Sequence, residues 1–283
     1  MTYLLLSVSM LSMVLQNGIF NSVSKSSLKD KADRFYFNSY TYLICFLLFL
    51  LLAFSGSFSI YSLGLGLLFG AVTMLSGYYK LSALSKGPMH ITTLITSASM
   101  IIPAMSGAMF FGERFSVGKA FAIILLIFFI YISLKKDNNT NFCKGWFVCI
   151  VLAFLFQGAI GILQKIHQTS SHKNELVLFL GVAFLFSFAF SMYLAKREKN
   201  IYEFKKKEYI FAIICGVCTF AMNYINLKLS GLIPTQLFFP LVNGSSIILT
   251  ALVSIFIFKE TVTKHQVVGL AGGLLSLVLI CIL

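Results

Sequence analysis

Along the chain, apolar residues come in runs of roughly 20, each closed by a charge or a turn residue. That is the length an α-helix needs to cross a hydrocarbon layer. Ten such runs can be marked, over residues 3–23, 35–54, 60–85, 89–111, 117–134, 146–166, 175–195, 209–229, 233–257 and 265–283. Within them hydrophobicity is continuous, as in Phe121 to Tyr131 or Leu176 to Phe190, and lacks the two-residue alternation of a barrel strand. The pattern predicts an all-α integral membrane protein of about ten transmembrane helices. The first run has the length of a secretory leader, but no Lys or Arg precedes it and no small-residue cleavage pattern follows, so it is read as the first span.

Composition agrees. Of 283 residues 58% are hydrophobic and 11% charged, and the mean hydropathy is +0.91. Connections reach only about a dozen residues, which leaves no room for a soluble domain beside the spans. The formal charge of +13 is spread over many connections, which predicts contact with anionic membrane lipids and no nucleic acid partner. Most of the six cysteines fall inside apolar runs, where Cys packs as a small hydrophobe. Cys215 and Cys218 have C-x-x-C spacing without a second pair or a nearby His, so neither a metal nor a redox cofactor is expected.

The chain repeats itself. Leu81-Ser82-Ala83-Leu84 ends the third run and Leu229-Ser230-Gly231-Leu232 the eighth, and each is followed by a further run and a Glu-bearing turn. Leu84 precedes Glu113 by 29 residues and Leu232 precedes Glu260 by 28. In the opening spans, Asn17-Gly18 leads to Lys25 and Gln157-Gly158 to Lys165 at the same seven-residue distance. The duplication divides the chain into 1–140 and 141–283. Five helices per copy is an odd number, so the second copy must enter the membrane from the opposite side. Such inverted repeats let two halves exchange conformations around a central site.

With Gly112-Glu113-Arg114-Phe115-Ser116 between its fourth and fifth spans, this duplicated chain resembles the drug/metabolite transporter superfamily, EamA-like branch. The family's Gly-to-Lys spacing is matched by Gly18 with Lys25 and Gly158 with Lys165; its Trp is replaced by Asn17 and Gln157, and its second Gly-Glu turn is reduced to Lys259-Glu260. The resemblance implies transport of metabolites such as amino acids, nucleobases, sugars, amines or toxic compounds. It also implies cytoplasmic termini. Charge bias points the other way: 17 of the 22 Lys and Arg lie in or beside the connections after odd-numbered spans, which places those connections in the cytoplasm. Both orientations stay open.

A polar side chain in lipid needs a partner or a cavity, so intramembrane polar residues mark candidate substrate contacts. The first span offers Asn17 and Asn21, beside Gln16, and the sixth offers Gln157 and Gln164. The third offers Tyr78 and Tyr79, and the fourth Thr93 and Ser97 ahead of Pro103, which permits a kink. Asn223, Tyr224 and Asn226 come from the eighth span, Gln236 and Asn243 from the ninth, around Pro240. Spans one, three, four, six, eight and nine are thus expected to wall a cavity. The same residue types also stitch helices together, and Gly18, Gly158, Gly161 and Gly244 are read as sites of close helix approach.

All nine Asp and Glu lie in connections or at span ends, which disfavours a carrier that exchanges protons for cations on a mid-membrane carboxylate. Glu113 and Glu260 are read as caps of helix N-termini, Lys25 and Lys165 as snorkelling cations, and His90 as a group able to titrate near neutrality. The expectation is a carrier, monomeric or homodimeric, in the cell membrane. It binds a neutral or zwitterionic small-molecule substrate, an amino acid or related compound, with proton coupling neither required nor excluded. A proton-coupled exporter of amines or toxic compounds is the second reading. A membrane enzyme or a non-transporting binding protein is the third, although no H-E-x-x-H, G-x-S-x-G or paired intramembrane Asp is present.

Overall fold

The computed structural model describes residues 2–52, 59–110, 116–134, 143–198, 205–230 and 235–282. All α-helical elements follow the apolar runs: α1 (Thr2–Ser26), α2 (Lys31–Leu51), α3 (Ile60–Leu84), α4 (Met89–Ala98), α5 (Ile101–Phe110), α6 (Val117–Ser133), α7 (Lys144–Thr169), α8 (Leu176–Arg197), α9 (Lys206–Ser230), α10 (Thr235–Phe256) and α11 (Lys264–Ile282). Among the described residues, seven helical stretches are long and apolar enough to cross a membrane, and three shorter apolar ones accompany them. Large apolar side chains face outward along α1 and α6, Leu4, Leu11, Ile124 and Phe128 among them. An outer surface of that kind suits lipid and would aggregate in water.

The fourth span is two helices. Pro103 has no N–H to give the Ser99 carbonyl, which instead accepts from Ile102 N at 3.0 Å. Ser99 N and Met100 N likewise reach back only three residues, to Thr96 O and Ser97 O. The axis therefore breaks at Ser99-Met100, one turn before the proline.

Helices approach where side chains are small, the usual rule when lipid and protein interior are equally apolar. A Cβ on Gly70 of α3 would lie 2.3 Å from the Ala183 carbonyl of α8, and Ser187 Oγ donates to Gly70 O at 2.8 Å. Gly269 and Gly272 of α11 admit Ser133 and Phe129 of α6 in the same way. Gly158 and Gly161 of α7 receive Ile102 and Pro103 of α5, while Gly18 and Gly244 have room for a Cβ. At the centre, α2 and α8 pack through Phe49 and Phe184, stacked at 5.8 Å.

The neighbour relations are reciprocal. α1 lies on α9 as α7 lies on α3, and α2 on α9 as α8 on α3. The pairs α2–α8, α6–α11 and α4–α10 map onto themselves when spans one to five are exchanged with six to ten.

Candidate functional site

A cavity of about 150 Å³, lined by both polar and apolar side chains, opens where α1, α3, α7, α9 and α10 meet the break between α4 and α5, with Tyr42 added from α2. These are the spans that carry the clustered intramembrane polar residues. The break is part of the wall, through Ser99, Met100 and Pro103.

Among the polar side chains of the lining, amides are the commonest. Gln157, Gln164, Asn223, Asn226 and Asn243 all contribute. Several are held in place by hydrogen bonds between spans: Ser76 Oγ donates to Gln157 Oε1 at 3.0 Å, Ser9 Oγ to Asn226 Oδ1 at 2.6 Å, and Gln164 Nε2 to Asn223 Oδ1 at 3.5 Å. Asn223 Nδ2 also donates to Thr219 O, one turn back in its own helix, at 2.9 Å. Bonding of this kind fixes rotamers, so the lining presents a set pattern of donors and acceptors.

The other sequence-predicted residues lie elsewhere. Asn17 and Asn21 are fully buried off the cavity. Asn17 Nδ2 donates weakly to Thr250 Oγ1 at 3.4 Å, and both atoms of the Asn21 amide lack a partner. Tyr78 stacks on Phe35 at 4.3 Å, Tyr79 on Phe156 at 5.9 Å and Tyr224 on Phe220 at 5.9 Å. Thr93 is buried, and Ser97 approaches Ser246 at 3.5 Å. Gln236 falls on α10 but its side chain lies outside the described residues, as do Glu113 and its turn.

Gln16 and Lys80 line the cavity without belonging to the sequence-predicted set of contacts. Gln16 Nε2 donates to Thr219 Oγ1 at 2.6 Å, which ties α1 to α9. Lys80, one of the charges counted above as lying in or beside the connections after odd-numbered spans, sits inside α3 and lines the cavity. A signal for it exists: Thr73, Ser76, Gly77 and Lys80 follow the i, i+3, i+4, i+7 spacing of one helix face.

A second polar cluster closes one end of the bundle. Glu260, between α10 and α11, accepts from Lys25 Nζ at 2.6 Å, from Ser254 Oγ at 2.5 Å and from Met89 N at 2.9 and 3.2 Å. His90 Nδ1 lies 3.2 Å from the same carboxylate, and its Nε2 lies 3.2 Å from Gln266 Oε1. Glu260 therefore caps the N-terminus of α4, not of the adjoining α11. Lys25 is ion-paired as well as partly exposed. Burial alone would raise the Glu260 pKa, but the bonds from His90, Lys25 and Ser254 outweigh it and hold the pKa down at about 2. Among the described residues no group of three His, Cys, Asp or Glu is placed to hold a metal ion.

Residues 144–282 match the model of the EamA-like transporter family. No curated protein matches the chain. A solved crystal structure superposes with a TM-score of 0.60 at 13% identity, covering 98% of this chain and 95% of that one. That likeness concerns the fold alone.

Proposed function

Residues 144–282 of this chain belong to the EamA-like transporter family, part of the drug/metabolite transporter superfamily, and from that premise we propose that the protein carries a small polar metabolite through the amide-lined cavity by alternating access. Membership points to a membrane transporter of this type rather than an enzyme; the substrate class and the cycle are our reading. The two halves, 1–140 and 141–283, act as inverted repeats that rock about the cavity, and the reciprocal packing of the helices supports that division. The break at Ser99-Met100 supplies irregular backbone at the cavity wall, where a membrane protein tolerates it.

The observation that carries the substrate reading is the lining itself: amides, hydroxyls and the Lys80 ammonium, with no Asp or Glu among the described residues that form it. A wall of that kind binds hydrogen-bonding solutes, and it offers an amine no counter-charge. The substrate is therefore neutral or zwitterionic, an amino acid or a related compound, carried across the cell membrane.

Proteoliposomes loaded with mixed amino acids, nucleosides, sugars and amines, followed by mass spectrometry with and without a pH gradient, test the reading. Saturable, protein-dependent flux of a neutral or zwitterionic class, weakened in Asn223→Ala and Gln157→Ala, is the expected result. Flux of amines only would transfer the assignment to a proton-coupled exporter, and no flux over empty liposomes would remove the carrier reading for these classes.

A further inference from the structure

One group in the cavity has no partner of opposite charge among the described residues. The Lys80 ammonium lines the wall and lies 5.9 Å from the centre of the Phe20 ring. Among the described residues it makes no hydrogen bond or ion pair, and the lining contains neither Asp nor Glu. An ammonium at such a place is costly, because water is scarce and a ring face replaces only part of a lost counter-ion. Intramembrane cations are tolerated where they mark a ligand path.

Two further donors flank the same space. Gln157 and Asn226 each commit the amide oxygen to a serine of another span. That leaves their NH₂ groups without a protein acceptor among the described residues, at positions that line the cavity. A lysine with unengaged amide N–H groups forms a receptor for an anion. The receptor holds a single cation, so it balances a single negative charge, and about 150 Å³ admits only a small solute. A carboxylate meets these terms; a phosphate monoester, close to doubly charged at neutral pH, does not.

The geometry points to Lys80 as the recognition residue for a substrate carboxylate, which narrows the cargo to small zwitterions with a single carboxylate, amino acids among them. The inference rests on the carrier reading above for its biological meaning, but not for its test, because binding can be measured without transport.

The probes are millimolar L-amino acids and small monocarboxylates, each paired with its own carboxamide, which has the same shape without the charge. Thermal stabilisation in detergent reads binding, and proteoliposome flux reads transport. Lys80→Met keeps the chain length and removes the charge, and Lys80→Arg keeps the charge and controls for folding. We expect stabilisation by carboxylates but not by their carboxamides, weakened about 10- to 100-fold in apparent affinity by Lys80→Met, the range for losing one charge-assisted contact, and largely kept in Lys80→Arg.

Equal stabilisation by carboxylate and carboxamide, indifference to Lys80→Met, or stabilisation by neither would each overturn the assignment. Carboxylate binding lost in Lys80→Met but unaccompanied by flux would uphold the Lys80 site and sink the carrier reading instead. Flux of neutral solutes unchanged in Lys80→Met would do the reverse.

Discussion

Replacing Glu260 with Gln keeps the volume and one capping carbonyl but removes the charge on which three helices converge. The carboxylate binds Lys25 of α1, Met89 N and His90 of α4, and Ser254 of α10. Its pKa is held at about 2 against an ordinary 4.5. At 1.36 kcal/mol per unit that difference corresponds to about 3 kcal/mol of linked stability. The Lys25 end is 40% exposed, so solvent screening reduces that partner's share, and about 2 kcal/mol is the working figure for the charge. A chain of this size loses roughly 2–4 °C of Tm per kcal/mol, which predicts a fall of about 4–8 °C in Glu260→Gln at pH 7.

The lone tryptophan reports on the right region. Trp146 is 1% exposed and packs with Ile91 and Ile95 of α4, so its emission shifts red when this packing opens. Because the folded pKa is depressed, the charge stabilises fully above about pH 4.5 and progressively less as pH falls toward 2. The gap in melting temperature between wild type and Glu260→Gln should therefore be constant near neutrality and close below pH 4.5. A gap under about 1 °C at pH 7, or one that persists unchanged to pH 3, would refute the assignment of Glu260 as a charged cap that ties the α10–α11 connection to α1 and α4.

Two further predictions concern the broken span and its neighbour. Pro103→Ala restores an N–H for the Ser99 carbonyl, so α4 and α5 should merge; the expected outcome is equal or higher thermal stability with slower substrate flux, and an unchanged rate would argue against the break as a moving part. Gly158→Leu places a Cβ about where Ile102 now packs, 2.3 Å from its Cδ1. It should cost about 1–3 kcal/mol by overpacking, read as a lower melting temperature, whereas Gly18→Ala, in α1 with no atom closer than 3.8 Å, should cost far less.

Much was legible in the chain by itself. Helical spans follow from the length and continuity of the apolar runs, and lipid as solvent leaves the backbone no other way to satisfy its polar groups. The spans that build the cavity could be picked out because polar residues in lipid are costly and therefore clustered. Gln157, Gln164, Asn223, Asn226 and Asn243 were visible on that ground.

The azimuth of each helix and the partner of each polar group are set by packing and are not written in the sequence pattern. Hydropathy is blind to rotation about a helix axis, because a neighbouring helix and a lipid tail are equally apolar and close packing alone chooses between them. Hence Tyr78, Tyr79 and Tyr224 are spent on aromatic stacking, and Asn17 faces Thr250 instead of the cavity. Lys80 looks like a connection charge until α3 is seen to carry it inward. Glu260 looks like a cap for the helix that follows it, but its oxygens reach the N-terminus of α4, about 170 residues earlier in the chain. A charge pairs with whatever the fold brings within hydrogen-bond reach, and sequence separation carries no information about that distance.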